Sequence, residues 1–597
     1  MDQLDARQRV EAWVEDPANV SEQQRAAVKH TGDVFIRACP GAGKTRTVGV
    51  RLAWWSVHPE EIDGQTRRRR IAALSYTNVA VEAIAQAADA AGSAVSDPDF
   101  LGTIHSFLLR YVVRPFGMQV MGCQEPPRLV SDHSARKDTI PFRDGWTTKE
   151  ISVWDLHFRS DGSLTIQEGG LPWGTRSSER RVLQQVSQAA KAKKLEIAAE
   201  GLMSMSDALY WAQRALENPD NARAVAARFD ELIVDEAQDT MGTQLRCLKL
   251  LKEAGLLSLV LIGDPAQAIY GFAGVEPRHL AEAVGDLDLE TVPLTRNYRS
   301  SQLICDATTH FREDPEPDEA HGEHRDAEHH PELIVFPSDD YRAAVTLFTE
   351  RLAVVGVDEA DAAVICRHGR TCDTVNSSGG GNFNGLMANF AELAAVVQLG
   401  HTIGRTDVQQ IEAELAIYAW PDLLAEEFDT DQRYKLRNAV FELAERLPDL
   451  GLRAADWCRE ARRAISATMT ALRDDGEPIQ YRKPAPRNTG RYVVADLIAG
   501  RRETLVADTI HSAKGNSHGA TLVVAVKDET YDLASAWLRD EGEERRVGYV
   551  AFTRAQRYLA IAVPDSVGDD VRAEYERRGF RTLVAESTLD GDDAGDA

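Results

Sequence analysis

The segment Ala38-Cys-Pro-Gly-Ala-Gly-Lys-Thr45 constrains this chain more than any other. An apolar run suited to a buried parallel strand, residues 34–38, feeds it, and a helical pattern follows from Arg46. Strand, glycine-bearing loop and helix is the context that a phosphate-binding loop requires. Gly41 and Gly43 let the backbone curl until its N–H groups face phosphate oxygens, with Ala42 between them. The N-terminus of the following helix adds its dipole. Lys44 would reach the β- and γ-phosphates of ATP, and the Thr45 hydroxyl would hold Mg2+. Ala38 stands where the pattern usually has its first glycine, and a match of this length also arises by chance.

A second segment removes most of that ambiguity. Glu231-Leu-Ile-Val-Asp-Glu-Ala-Gln-Asp239 reads as an apolar strand ending in paired acids. Asp235 sits where a strand-end carboxylate orients Mg2+, and Glu236 is placed beside it to activate an attacking water. A helix-capping acidic cluster fits less well, because the acids follow a buried-type strand. Residues 71–76, 100–104 and 257–264 are further strand-like runs. Strands alternating with helices imply an α/β fold with parallel sheets and ligands at the strands' carboxyl ends.

Charge and composition narrow the rest. The chain has 597 residues, 43% hydrophobic and 27% charged, which is ordinary for globular domains. No apolar run approaches the ~20 residues of a membrane span. The N-terminus lacks a signal pattern, so the expectation is a cytoplasmic protein with no membrane partner. Seven scattered cysteines read as reduced thiols. The net charge of −26 argues against attachment to nucleic acid by bulk charge but permits a local basic groove. Arg67 to Arg70, and Lys191, Lys193 and Lys194, are candidate basic patches, and each reads equally as a solvated face. Residues 313–331 read as a solvated loop, and 590–596 as a disordered acidic tail.

Taken together the motifs resemble, in order, those of the UvrD/Rep-type superfamily 1 DNA helicases. Val20-Ser-Glu-Gln-Gln-Arg-Ala-Ala-Val28 is similar to the family's adenine-reading motif, with Gln24 as the reader. Ser75-Tyr-Thr-Asn-Val-Ala80 and Gly102-Thr-Ile-His-Ser-Phe107 resemble its strand-gripping motifs. Gly263-Asp-Pro-Ala-Gln-Ala-Ile-Tyr-Gly-Phe272 resembles the coupling motif. Leu294-Thr-Arg-Asn-Tyr-Arg-Ser300, Thr509-Ile-His-Ser-Ala-Lys-Gly515 and Glu544-Arg-Arg-Val-Gly-Tyr-Val-Ala-Phe-Thr-Arg-Ala555 complete the set.

The resemblance implies two RecA-like motor domains and a role for each matched residue. Gln267 would sense the γ-phosphate, and Arg299 and Arg554 would act as arginine fingers. Tyr298 would stack on the adenine, with Arg46 flanking the same base. Tyr76, Tyr270 and Phe272 match positions that stack on or wedge between bases, and Thr77, Asn78, His105 and His511 would touch backbone or sugar. Gln267 and Tyr270 lie three residues apart, so one short segment can touch both phosphate and bases. That linkage is what distinguishes a motor from a plain ATPase.

The motif spacing implies a division of the chain. Residues 1–109 and 196–293 form the first motor domain around an insertion at 110–195. Residues 294–372 and 491–585 form the second around a reduced, mostly helical insertion at 373–490, and 586–597 is an acidic tail. The first insertion is expected to combine a β-rich stretch with a helix. The second starts with the flexible Ser377-Ser-Gly-Gly-Gly-Asn382. From the short stretch after Arg554, no appended nuclease domain is expected. Two departures stand out. Asn516-Ser517-His518 replaces an apolar residue, a Glu and an aromatic of relatives, and Ala273 replaces a common Arg.

Three readings remain open at this level. The leading one is an ATP- and Mg2+-dependent helicase or translocase, 3′→5′ by resemblance, on single-stranded or tailed duplex DNA in repair. A second follows from Arg110-Tyr-Val-Val-Arg-Pro-Phe116, which resembles the helicase-like subunit of Gabija-type antiphage systems and implies a nuclease partner. A third is an ATP- and DNA-sensing regulatory subunit that does not itself unwind duplex, motivated by the reduced insertion and Ser517.

Overall fold

The structure is a computed structural model. It describes residues 3–587 apart from 63, 131–137, 168–169, 272–273, 313–317, 339, 378–385, 421–427, 474, 483–491, 496, 499–504, 506, 528–530 and 540–541. The chain divides into two units, Met1–Arg296 and Asn297–Ala597.

The first unit contributes β1 (Val34–Ala38), β2 (Ile71–Ser75) and β3 (Phe100–Thr103), then the hairpin β4 (Thr139–Asp144) and β5 (Thr147–Ser152). It continues with β6 (Glu231–Val234), β7 (Ser258–Gly263) and β8 (Glu290–Leu294). All but the hairpin join one parallel sheet in the order β8-β1-β7-β6-β2-β3. β2, β6 and β7 are buried along their whole length, which is why continuous apolar runs mark them in the sequence. Since β8 runs to Leu294 within this sheet, the first unit ends slightly later than residue 293.

Helices α1 (Glu22–Lys29), α2 (Lys44–Val57) and α3 (Asn78–Ala90) pack against the sheet. α2 and α3 approach so closely at Gly49 that a Cβ there would lie 2.5 Å from the Ile84 carbonyl oxygen. Glycine is needed at that crossing for room.

Arg67 to Arg70 form no basic surface. Arg67 and Arg70 both clamp Asp230, Arg68 pairs with Asp99 at 2.7 Å, and Arg69 joins Glu60 and Glu231. These cations lace the end of the sheet where β2 and β6 begin. Burial alone would raise the Asp230 carboxyl, but the Arg67 and Arg70 hydrogen bonds outweigh it and hold it well below the usual range.

The inserted residues form their own small core. The β4–β5 hairpin packs on α4 (Glu179–Ala199) through Phe142, Ile151, Val182 and Val186. The lysine cluster on α4 is also largely spent: Lys194 is buried on Asp207 at 2.6 Å and Lys193 bonds Glu196 at 3.0 Å. Where the expected insertion begins, Leu109–Val113 is a π-helical turn whose Tyr111 sits edge-on to Phe100 and Phe229. This part of the Arg110–Phe116 segment is core packing under the sheet edge.

The second unit repeats the architecture. Its strands are β9 (Glu332–Phe336), β10 (Ala362–Cys366), β11 (Ala507–Thr509), β12 (His518–Val524), β13 (Ala555–Pro564) and β14 (Arg581–Val584). They form a parallel sheet in the order β11-β10-β12-β13-β9-β14. Between β10 and β11, α5 (Leu386–Gln398), α6 (Arg405–Ala419), α7 (Thr430–Arg446) and α8 (Ala454–Leu472) share a core around Phe390, Leu443 and Trp457. α9 (Glu543–Phe552) precedes β13. Two parallel sheets flanked by helices are the architecture expected of two RecA-like domains. The glycine-rich segment from residue 378 and the tail from 588 lie outside the described residues. No described helix is long and apolar enough to cross a membrane.

Candidate functional site

The loop after β1 has the geometry its glycines permit. Gly41 and Gly43 take φ of 73° and 77°, and Gly43 caps α2 in the left-handed conformation. Gln24, on α1, holds the loop from behind: its side-chain amide donates to the Ala42 carbonyl at 2.9 Å. The same side chain accepts from the Ser21 N–H at 3.1 Å, closing a capping box at the start of α1. The residue expected to read adenine is therefore also a strut for the phosphate loop. Arg46 extends over the Trp13 ring at 5.3 Å, a cation–π support that motif reading passes over.

Lys44 and Thr45 open α2 directly beneath the end of β6. The Thr45 hydroxyl donates to Asp235 Oδ2 at 2.9 Å, and Lys44 Nζ stands 3.9 Å from Glu236 Oε2. Asp235 is buried, and its Oδ1 has no hydrogen-bond partner. Burial, and then the neighbouring Glu236 charge, push the Asp235 carboxyl well above the ordinary carboxylate range. A buried, unpartnered carboxylate oxygen beside a threonine hydroxyl fits a divalent cation such as Mg2+. Glu236 takes the left-handed φ of 52°, which a non-glycine residue rarely adopts. That conformation ends the strand abruptly at the acid.

A buried acid with a half-buried acid beside it costs stability. Asp235→Asn is expected to raise the thermal midpoint measured without nucleotide, by about 0.5–2 kcal/mol of added stability. It should also abolish Mg2+-dependent ATP turnover. A variant less stable than the parent would contradict this account.

Gln238 is the residue that motif reading leaves without a role. It is buried, its amide donates to Glu236 Oε2 at 2.6 Å, and its Oε1 accepts from the Asp264 N–H at 3.0 Å. One side chain thus ties the acid at the end of β6 to the segment leaving β7. Gly263 allows this approach, since a Cβ there would lie 2.4 Å from Gln238 Oε1. Gln267 follows on that segment, buried, with its amide donating to Asp264 Oδ2 at 2.7 Å. The sequence signals that burial only indirectly, through the place of Gln267 just past a strand end.

Three residues further on, Tyr270 stacks on Tyr76, with ring centroids 5.2 Å apart. Tyr76 follows β2 and Tyr270 follows β7, so the sheet brings these two predicted base-contacting rings together. Burial, and then Asp239, raise both phenols, which stay neutral. Thr77 caps α3 by accepting from the Ala80 N–H at 3.2 Å, and Asn78 is exposed in its first turn. His105 is half-buried, with its Nδ1 3.5 Å from the Gln244 amide, and burial lowers its pKa. Phe272, and the departure at Ala273, lie outside the described residues.

The second unit gathers the other predicted residues. Arg299 donates to the Thr553 carbonyl at 2.9 Å. Arg554, just past α9, is buried and donates to the carbonyls of Val550 at 2.9 Å and Asn516 at 3.2 Å. The two arginines therefore meet around Thr553. Tyr298 is 38% exposed, and His321 returns the chain beside it, with its N–H bonded to the Asn297 carbonyl at 2.7 Å. His511 lies half-buried on the short helix Ile510–Ala513. Ser517 is exposed.

Comparison with known proteins agrees with this arrangement. Residues 20–288 match the UvrD/REP helicase N-terminal domain, a span that holds the phosphate loop, the paired acids and the tyrosine stack. DNA helicase II of Escherichia coli is 25% identical over 302 residues, covering 48% of this chain and 39% of that protein. The ATP-dependent DNA helicase SRS2 of Saccharomyces cerevisiae is 25% identical over 331 residues, 50% of this chain and 27% of that protein. An ATP-dependent helicase/nuclease subunit of Exiguobacterium sibiricum is 36% identical over 138 residues, 21% of this chain and 11% of that protein. The matches thus span well under half the length of these relatives. The phosphate loop, the paired acids and the tyrosine stack, gathered at the ends of one parallel sheet, thus lie within a segment, residues 20–288, that is similar to the UvrD/REP helicase N-terminal domain.

Proposed function

We infer that this chain is an ATP-driven motor that moves, 3′→5′, on single-stranded DNA and separates tailed duplex. The observation that carries the reading is the segment from Gly263 to Tyr270. Gln238 ties its start to Glu236, Gln267 lies buried within it, and Tyr270 at its end stacks on Tyr76. A change at the phosphates therefore has a short covalent route to the rings that would hold bases.

In this reading Lys44 and the loop amides bind the β- and γ-phosphates, and Gln24 keeps the loop shaped. Mg2+, held by Thr45 and Asp235, would draw charge from the phosphates and polarise the γ-phosphorus. Glu236 accepts the proton of the attacking water. Arg299, Arg554 and Tyr298 are the two cations and the ring that the second unit carries. Tyr76 and Tyr270 must part for a base to enter between them, which couples strand entry to the Gly263–Tyr270 segment.

The test is ATP turnover with and without single-stranded DNA. Strand addition should stimulate it, and Lys44→Ala should remove it while leaving the fold intact. Turnover indifferent to the strand, or undiminished in Lys44→Ala, would sink the assignment. A second reading is favoured by exposed Ser517 in place of a carboxylate: an ATP- and DNA-sensing subunit that works with a nuclease and does not unwind alone. Similarity to a helicase/nuclease subunit is compatible with it. Strand displacement on 3′- and 5′-tailed duplexes discriminates, since robust unwinding excludes the second reading.

A further inference from the structure

Two tryptophans on the inserted hairpin and the loop beside it are almost wholly in water. Trp146 is 100% exposed and Trp173 is 99% exposed. A tryptophan side chain normally buries a large apolar area, so a single exposed one is unremarkable while two at one place call for a partner. They are at one place. Trp146 lies in the two-residue turn between Asp144 and Thr147, where Gly145 takes a left-handed φ of 65°. The loop bearing Trp173 is tied to that same end. Lys149 Nζ donates to the Trp173 carbonyl at 3.1 Å, and the Asp144 carboxylate accepts from the backbone N–H of Arg176 at 2.9 Å and of Ser177 at 2.8 Å.

Around these rings the charge is positive. Arg143, Arg176, Arg180 and Arg181 are all exposed, and none forms an ion pair among the described residues. Gln185 places Arg143 beside the start of α4, donating to its carbonyl at 3.1 Å and accepting from its N–H at 2.8 Å. Arg180 and Arg181 occupy the first turn of α4, where cations oppose the helix dipole and do nothing for its stability. The nearby acids do not cancel them. Asp144 is taken up by backbone amides and Lys149, which leaves Glu179 in the same turn. By contrast, on this chain of net charge −26, the run Arg67 to Arg70 meets carboxylates throughout.

We propose that this end of the hairpin is a second nucleic-acid site, outside the motor, which holds an unpaired strand by stacking bases on Trp146 and Trp173 and placing its phosphates against Arg143, Arg176, Arg180 and Arg181. The pairing of aromatic faces with guanidinium groups fits an unpaired strand rather than a duplex, whose bases are closed to stacking. It is sequence-tolerant, as a moving protein requires.

The test uses the full chain in a Lys44→Ala background, so binding is read without hydrolysis. Affinities for labelled oligothymidylate and oligouridylate are measured by anisotropy, each in a short form that the motor alone would cover and a long form. Trp146→Ala with Trp173→Ala should weaken the long strand by about tenfold or more and leave the short one unchanged. Replacing the four arginines by glutamine should lower the slope of log affinity against log salt by about 0.7 for each phosphate no longer neutralised. Both changes are at exposed side chains, and an unaltered thermal midpoint confirms folding. An effect on both kinds of strand, or on one, supports the site and assigns the strand it takes. Unchanged long-strand affinity and salt slope in both variants would overturn the proposal and leave the patch to an acidic protein. Failure of the motor reading is separately visible as strand-independent ATP turnover in the parent chain.

Discussion

Glu231→Ala is expected to cost the first unit about 3–5 kcal/mol, a large share of the ~5–15 kcal/mol that holds a typical domain folded. Glu231 is fully buried at the start of β6. Arg51 grips it with two bonds, Nε to Oε1 at 2.7 Å and Nη2 to Oε2 at 2.8 Å, and Arg69 donates to the same Oε2. Arg51 also reaches the Ala27 carbonyl at 2.8 Å, and Arg69 lies 3.9 Å over the Trp55 ring. Deleting the carboxylate strands two guanidinium groups in a dry interior. Burial alone would raise the Glu231 carboxyl, but the Arg51 and Arg69 charges outweigh it and hold it below the usual range. A carboxyl lowered on folding stabilises the fold at pH values above its unfolded value. That contribution is lost as pH falls through the folded value. The parent should therefore lose stability in acid to a degree that Glu231→Gln does not. Urea midpoints at neutral pH, with the slope unchanged, measure the cost. Losses below about 1 kcal/mol would mean that the network contributes little. Because Glu231 precedes Asp235 by four strand residues, about 13 Å, the folded fraction should keep its KM for ATP.

That network was invisible in the sequence for a physical reason. Arg67 to Arg70 announce four charges, but their partners Glu60, Asp99, Asp230 and Glu231 are brought in by other strands and loops. A charge run therefore read as surface becomes a clamp at the end of a sheet. Lys194 behaves the same way, with its partner on another helix. By contrast, the phosphate loop and the paired acids were legible because each is a contiguous segment whose chemistry depends on local backbone shape. Gln238 fell between these cases. It sits inside a recognised motif, but its role depends on the backbone of Asp264, contributed by the neighbouring strand. Trp146 and Trp173 were illegible for the opposite reason: tryptophan is read as core by default, and only the fold shows these two standing in water.

Glu236→Gln should lower kcat for ATP by roughly 10²–10⁴-fold, the range that a positioned general base contributes. The amide keeps the shape and can still bond to Gln238, but it cannot take a proton. Lys44, 3.9 Å away, loses an anionic neighbour and keeps its place at the head of α2, so nucleotide binding should persist. The expected signature is thus a fall in kcat with little change in KM, and strand affinity intact. Lys44→Ala should differ by weakening ATP binding itself. If Glu236→Gln kept turnover within about tenfold of the parent, the base would have to be sought elsewhere. The structure makes that outcome hard to accommodate. Among the acids at the carboxyl ends of β6 and β7, Asp235 is buried and bonded to Thr45, and Asp264 to Ala266 and Gln267. Asp239 is buried, and its charge acts on Tyr76 and Tyr270. Glu236 alone of the four combines partial exposure, a backbone turn that ends the strand at its own position, and a direct bond to the residue that leads toward the bases.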